Sequence, residues 1–428
     1  MPPSDPPPLP DTLTDALARL RRWPDVEGPD LLAADGADRL VLEELAALLS
    51  GPDGAALAAP GAVTVLDDPY GALTLGALSL GVRAPRVWQD SVVAERALDA
   101  NAERLGVAGA YDRHAAGPPG ESLVPGTALD GARLVLVRLP RSLAALTDLA
   151  EAVARHAARD VVVLAGGMVK HMTPTMNEVL GRCFTDVRAT RGRHKARALV
   201  ASGPRDIERT SPVSEQPLDG LVVWAYGAAF AGPRLDRGTR ALLEALGLLP
   251  GLPGPGPAHG SPVVPEGGSV LDLGCGTGVL AVRVAQAYPT ARVVATDVSA
   301  AAVASTTLTA AAAGVGDRVE ALRDDTGRAL PDAAFDVVVC NPPFHVGAAL
   351  HTGTASRMFR TAARVLRPGG ALWTVYNSHL QHRAELARVV GATTQVTRDR
   401  TFTVTRSVAR PDATHGPGAA RPRDEEQS

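Results

Sequence analysis

The chain of 428 residues predicts two doubly wound α/β domains in tandem, and three observations carry that prediction. From residue 269 onward, apolar runs of strand length alternate with Ala-rich stretches of helix length. A glycine-rich turn, Gly274-Cys-Gly-Thr-Gly278, follows the first of those runs. The same order of signals recurs in eroded form between residues 65 and 171. Strands alternating with such helices join by right-handed crossovers into a parallel sheet covered on both faces. Ligands in such sheets bind beyond the carboxyl ends of the strands.

In chain order, residues 1–10 are Pro-rich and read as a disordered, extended tail. Residues 11–215 make the first domain. Residues 216–268 connect the halves and contain Gly251-Leu-Pro-Gly-Pro-Gly-Pro257 within a Pro/Gly linker at 249–268. Residues 269–409 make the second domain, and 410–428 a polar tail read as disordered. Within the second domain, strands are predicted at 269–273, 291–296, 318–322, 335–340 and 371–376. Helices are predicted at 279–288, 300–313 and 355–366.

The first domain repeats this order. Val65-Leu-Asp-Asp-Pro-Tyr-Gly71 aligns with Val270-Leu-Asp-Leu-Gly-Cys-Gly276, which pairs Asp67 with Asp272 and keeps a single glycine. Asp90 follows Asp67 by 23 residues, and Asp297 follows Asp272 by 25. Leu134-Val-Leu-Val-Arg-Leu-Pro-Arg141 stands where the second domain has Asp336-Val-Val-Val-Cys-Asn-Pro-Pro343, so Leu139 replaces Asn341 and Ser142 replaces Phe344. His171 and His379 fall at equivalent places, which predicts a structural role for both. The pattern predicts duplication followed by loss of chemistry in the first copy.

Composition narrows the function classes. Net charge is −3, so no global field marks a nucleic-acid binder, and any such site must be a local patch. The cysteines Cys183, Cys275 and Cys340 are odd in number and scattered, giving neither a disulfide framework nor zinc spacing. No apolar run long enough to span a bilayer occurs. The expectation is a reduced, soluble, cytoplasmic protein with no metal and no membrane partner. All but two of the 43 basic residues are arginine, the exceptions being Lys170 and Lys195.

The glycine turn follows a strand and opens a helix. There, glycines let backbone amides approach a ligand, and the helix N-terminus favours a carboxylate. Asp297, ending the next strand, is placed to accept from two ribose hydroxyls. A nicotinamide loop needs a further glycine at position 279, which is Val279. Leu271-Asp-Leu-Gly-Cys-Gly-Thr-Gly278 resembles motif I of class I S-adenosylmethionine-dependent methyltransferases. That resemblance implies a cofactor site at Asp272, Gly274, Cys275, Gly276, Gly278 and Asp297, with Asp324 or Asp325 as the acceptor for the adenine amine.

Asn341-Pro342-Pro343-Phe344 then reads as a pocket for a planar amine. The lone pair of an exocyclic amine is delocalised, so the nitrogen is a poor nucleophile. Two acceptors, the Asn341 side-chain oxygen and the Pro342 carbonyl, can hold its N–H groups so that the lone pair faces the sulfonium methyl. The prolines stiffen the turn and remove competing donors. Phe344 offers a stacking face worth roughly 1–3 kcal/mol.

The surroundings of that motif are Cys340-Asn-Pro-Pro-Phe-His345, Met358-Phe359 and Asn377-Ser-His-Leu380. With Gly167-Met-Val-Lys-His171, Lys195-Ala-Arg-Ala-Leu199 and Leu235-Asp-Arg-Gly-Thr-Arg-Ala-Leu-Leu243, they resemble the ribosomal RNA guanine-N2 methyltransferases of the RsmC/RlmG type. The resemblance spans about residues 60–409 and implies two Rossmann-like methyltransferase domains, the first degenerate. It implies catalysis by Asn341, Pro342 and Phe344, places Asp236 and Thr239 near the methionine end of the cofactor, and makes ribosomal RNA or a ribosomal subunit the partner. The basic residue expected before Phe402 is replaced by Thr401.

Residues 182–197 hold the densest basic stretch. Arg191, Arg193, Lys195 and Arg197, with Lys170, are the candidate RNA contacts of the first domain. Two other readings fit the same motifs. One makes a protein glutamine amide or another nucleic-acid amine the acceptor; the other is a non-catalytic RNA-binding assembly factor.

Overall fold

A computed structural model describes residues 8–249, 263–343 and 348–411. Most of both expected tails, the middle of the linker, Phe344 and His345 lie outside the described residues. The first domain contains β1 (Val63–Leu66), β2 (Arg86–Trp88), β3 (Asp112–His114), β4 (Leu134–Arg138), β5 (Val162–Met168), β6 (Phe184–Ala189) and β7 (Ala196–Pro204). A two-stranded ribbon, β8 (Val213–Leu218) and β9 (Leu221–Ala225), leads into the second domain. That domain contains β10 (Ser269–Leu273), β11 (Arg292–Asp297), β12 (Val319–Arg323), β13 (Phe335–Cys340), β14 (Leu366–Asn377), β15 (Gly391–Arg398) and β16 (Phe402–Ala409).

The two sheets have one topology. The first runs β3-β2-β1-β4-β5-β7-β6 and the second β12-β11-β10-β13-β14-β16-β15. In each, six strands run in one direction, and one strand of the closing hairpin, β7 or β16, is reversed and pairs antiparallel with both its neighbours. The central strands are mostly apolar because both faces are covered. Val270, Val337, Val339 and Trp373 enter one core of the second domain, while Leu271, Leu273, Val338 and Leu372 enter the other. Alternation along the strand thus feeds two cores from one sheet.

The closing hairpin β15–β16 was not among the predicted elements. Its outer strand, Gly391-Ala-Thr-Thr-Gln-Val-Thr-Arg398, is half polar and largely exposed, so it lacks the apolar run that marks an inner strand. The predicted helix at 355–366 also begins earlier, spanning Ala348–Val365.

The repeat is real in topology but shifted in register at its first motif. Asp68 Oδ2, not Asp67, accepts from Thr74 N at 2.8 Å, the third residue of its helix. Asp272 Oδ2 accepts in the same way from Ala281 N at 3.0 Å, again the third residue. Gly71 follows Asp68 by three positions, whereas Gly278 follows Asp272 by six. The first copy has lost three residues of its turn. The Gln89 side chain closes what remains, taking Asp68 N at 2.9 Å and donating to Asp68 O at 2.8 Å.

The degenerate strand ends of the first domain face the second. Val92 N donates to Val298 O at 2.9 Å, and Ala300 N donates to Asp90 O at 2.9 Å. The Asp90 carboxylate accepts from Ala301 N at 2.9 Å and so caps a helix of the other domain. Arg323 locks the seam, reaching Asp90 O at 3.1 Å, Gln89 O at 2.9 Å and Glu95 Oε1 at 2.9 Å. Arg323→Ala strands two carbonyls and a carboxylate at this seam. It is expected to destabilise the protein by about 2–4 kcal/mol, read from the urea midpoint.

Candidate active site

The glycine turn carries the backbone in the left-handed region three times, at Gly274 (φ 83°), Gly276 (φ 55°) and Gly278 (φ 80°). At Gly278 a side chain is barred twice over, since a Cβ would lie 2.8 Å from Thr306 Cγ2. At Gly276 a Cβ would meet nothing nearer than Phe230, 4.0 Å away across the cavity that the turn encloses. Gly274 N and Cys275 N are held by the Thr296 carbonyl at 2.8 and 3.0 Å. Gly276 N is held by Asp297 Oδ2 at 3.0 Å, and Asp297 Oδ1 takes Ser299 N at 3.1 Å. The carboxylate is thereby fixed at the strand end with further lone pairs available to a ligand.

The cavity measures about 240 Å³. Its wall includes Gly274, Cys275, Gly276, Asp297, Asp324 and Asn341, and Pro342, Asp236 and Thr239 also border it. Nine positions that the sequence singled out, spread over residues 236–342, therefore meet at one site. Asp272 and Gly278 do not line the cavity. Asp272 is wholly buried behind Leu273, where it holds the helix Val279–Ala287.

Burial, with the nearby charge of Asp297, pushes the Asp272 carboxyl up to about 7. Its stabilising contribution is therefore complete below the ordinary carboxylate range near 4 and is lost as pH rises through 7. Asp272→Asn keeps an acceptor for Ala281 N and removes the titration. The melting temperature of the wild type is expected to fall relative to that of the variant between pH 5 and 8; parallel curves would contradict this. Burial also lifts the Cys275 thiol well above its usual range, aided by Asp297 and Asp272, so it stays protonated and is no nucleophile.

Asn341 sits at the end of β13, whose Cys340 carbonyl is fixed by Thr374 Oγ1 at 2.9 Å. Its Nδ2 donates to Asp236 Oδ2 at 2.9 Å and to Thr239 Oγ1 at 3.0 Å. Both amide protons are thus engaged, which fixes which way the amide points. Asp236 is itself fixed as the N-cap of the helix Arg237–Leu246, accepting from Thr239 N at 3.0 Å. Asn341 Oδ1 is left buried with no partner. A buried unpaired acceptor costs on the order of 1–3 kcal/mol and marks a place where a donor belongs. Asp236 and Thr239 border the cavity, and both accept from the Asn341 amide.

Of the adjacent carboxylates, Asp324 borders the cavity, whereas Asp325 forms an ion pair with Arg96 of the first domain. Pro343 lines the cavity beside Pro342, and Phe344 lies outside the described residues.

Three contributors were not legible as such in the sequence. Phe230 is half exposed and lines the cavity from the connecting segment. Met358 closes on Gly274, whose Cβ would stand 3.0 Å from Met358 Cε. Gly238 backs Asn341, a Cβ there lying 3.0 Å from Oδ1. Only a glycine inside a helix, opposite a strand end about a hundred residues on, could have signalled the last.

The basic candidates stand apart from this cavity, at the strand ends of the first domain. Lys170 and Lys195 are exposed neighbours, linked by Val169 N donating to Lys195 O at 3.0 Å. Arg191 and Arg197 are exposed on the β6–β7 hairpin. Arg193 instead pairs with buried Glu43 at 3.4 Å, which His194 also contacts at 2.8 Å. His171 and His379 are both exposed, and His171 Nε2 lies 3.5 Å from Arg141 Nη2. The buried imidazole is His382, edge-on to Phe359 and Tyr376.

Comparison with known proteins decides the family. Residues 220–406 match the methyltransferase small domain, and residues 11–205 match the RLMG N-terminal domain. The ribosomal RNA large subunit methyltransferase G of Streptomyces avermitilis is 34% identical over 400 residues, covering 91% of this chain and 96% of that protein. The protein of the same name from Pseudomonas syringae is 35% identical over 396 residues, covering 90% and 96%. The chain belongs to the ribosomal RNA large subunit methyltransferase G family.

Among solved structures, this methyltransferase G family member is similar to the 16S rRNA N2 methyltransferase (RsmC) of T. thermophilus, in complex with AdoMet and guanosine. The TM-score is 0.65 at 22% identity, over 92% of this chain and 99% of the other, a likeness of fold. Among the described residues, no group of three or more His, Cys, Asp or Glu is placed to hold a metal ion. Nor is any helix there long and apolar enough to cross a membrane.

Proposed function

We propose that this family member methylates the exocyclic N2 of a guanine in ribosomal RNA, with S-adenosylmethionine as donor. One observation carries the reading: Asn341 Oδ1 is buried, unpartnered and aimed by Asp236 and Thr239 at the border of the cofactor cavity.

The residues fit the cofactor. Gly276 leaves its Cβ position open to the cavity, and Asp297 has lone pairs for the ribose hydroxyls. Asp324 is the acceptor for the adenine amine. Gly274, Cys275 and Gly276 supply the wall around the methionine part, while Asp272 and Gly278 act by setting the turn and the helix behind it. The bound cofactor supplies an electrophilic methyl group on a sulfonium.

The rest is done by the chain. Asn341 Oδ1 accepts one N–H of the guanine amine and the Pro342 carbonyl the other, which leaves the nitrogen lone pair facing the cofactor cavity. Phe344 stacks on the base. Bound there, the cofactor would supply the methyl group to the nitrogen held by Asn341 and Pro342, and the proton displaced from the amine would pass to water. A base in a helix must leave the stack to reach this pocket. Lys170, Lys195, Arg191 and Arg197 hold phosphates on the first domain, while Arg193 holds Glu43.

Purified protein incubated with ribosomal RNA and isotopically labelled S-adenosylmethionine is expected to yield labelled N2-methylguanosine on nucleoside mass spectrometry. Label in another nucleoside, or in a glutamine of a ribosomal protein and not in RNA, overturns the reading.

A further inference from the structure

A cleft of about 510 Å³ lies between the N-terminal segment and the catalytic domain, apart from the basic hairpin of the first domain. Its walls carry Arg96, Arg328, Arg357, Arg360 and Arg364, and Trp23 stands at its edge. These residues come from four separate stretches of chain, and only the fold brings them together.

Their charges are unequally satisfied. Arg96 pairs with Asp325 and lies under the Trp23 ring, 5.4 Å from its centroid. Arg364 is committed to the Gly327 and Leu330 carbonyls, at 2.6 and 2.7 Å, and to Asp332. Arg357 donates to Pro24 O at 2.8 Å and approaches Asp25 at 4.0 Å, while its Nε is buried with no partner. Arg328 and Arg360 are exposed, and neither guanidinium has a hydrogen bond or ion pair among the described residues. Trp23 is 50% exposed, although indole is ordinarily well buried.

The cleft is coupled to the active site. Thr326 lines both the cleft and the cofactor cavity. The helix Ala348–Val365 turns Thr354 and Met358 toward the cavity and Arg357, Arg360 and Arg364 toward the cleft. Thr361 Oγ1 donates to Thr326 O at 2.7 Å, tying that helix to the loop that presents Arg328. Uncompensated guanidiniums beside an exposed aromatic face, lining a groove, are what a single nucleic-acid strand requires: charge for phosphates and a ring for a base.

We infer that this cleft binds a single-stranded RNA segment adjoining the target nucleotide, with Arg328 and Arg360 on phosphates and Trp23 stacked on a base. The inference rests on RNA being the substrate, and it adds a second contact surface on the catalytic domain itself.

The test measures binding of a fluorescein-labelled single-stranded oligoribonucleotide to the full-length protein across a salt series. Arg328→Gln with Arg360→Gln is expected to weaken binding at least tenfold at low salt. The slope of log affinity against log salt should fall by roughly 1.4, the loss of two single-strand phosphate contacts. Addition of RNA should quench tryptophan fluorescence in the wild type and much less in Trp23→Phe. Cofactor affinity by calorimetry should stay at its wild-type value in the arginine variant. Unchanged affinity and slope in that variant overturn the cleft, even where the wild type methylates RNA. A wild type that binds RNA with this arginine dependence but methylates no guanine leaves the cleft standing and overturns the substrate reading instead.

Discussion

Asn341→Ala is expected to lower turnover on ribosomal RNA at least a hundredfold, the order seen when one preorganised polar contact to a reacting group is removed. Cofactor affinity, measured by calorimetry, should stay within a factor of about two. The asymmetry follows from the geometry. The glycine turn and Asp297 are held by Thr296 and by their own backbone amides, with no contribution from Asn341. What alanine removes is the Oδ1 acceptor, together with the amide that answers Asp236 and Thr239. Gly238→Ala probes the same atom without touching it, by placing a methyl 3.0 Å from Oδ1. It should raise KM for RNA more than KM for the cofactor. Unaltered turnover in Asn341→Ala would dismiss the amine-holding role outright.

Asp297→Ala is expected to weaken cofactor binding by two to four decades. Gly276 N and Ser299 N each lose a carboxylate acceptor, and the ribose hydroxyls lose theirs. Charge-assisted hydrogen bonds are worth about 1.5–3 kcal/mol each, so losing two or more from ligand and cradle exceeds the hundredfold threshold. Asp297→Asn should recover part of the loss, because one oxygen remains to accept. A calorimetric Kd for Asp297→Ala within tenfold of wild type would show that the strand-end acid is not the ribose contact.

Much of this could be read before folding, and the failures have physical causes. The parallel core of the second domain was visible because its strands are buried on both faces and therefore mostly apolar. The edge hairpin β15–β16 was not, because an exposed strand carries Thr, Gln and Arg as readily as a loop does. The cofactor turn was visible because left-handed backbone demands glycine at fixed spacing. Its damaged copy was misread by one residue, since pairing Asp67 with Asp272 presumes equal turn lengths and three residues are gone. The partners of Asn341 lie about a hundred residues upstream, and no local pattern announces a side-chain bond across that distance. The basic run at residues 182–197 is legible because its charges are contiguous in sequence. The arginines of the cleft, dispersed over the chain, left no such trace.

The seam between the domains has a further consequence. Val92 and Ala300 each open the helix after the second strand of their sheet, and Asp90 and Val298 each stand two residues before them. Val92 N bonds Val298 O while Ala300 N bonds Asp90 O, so exchanging the two halves exchanges the two bonds. A contact that maps onto itself in this way has the form of an isologous homodimer interface, preserved within a single chain. The dyad runs between Ser91 and Ser299, two residues beyond Asp297. Two identical halves joined there would each have had the partner's helix at the door of its own cofactor site. The join is not wholly symmetric, for Asp90 caps the other half's helix while Val298, in the equivalent place, has no carboxylate to return the bond.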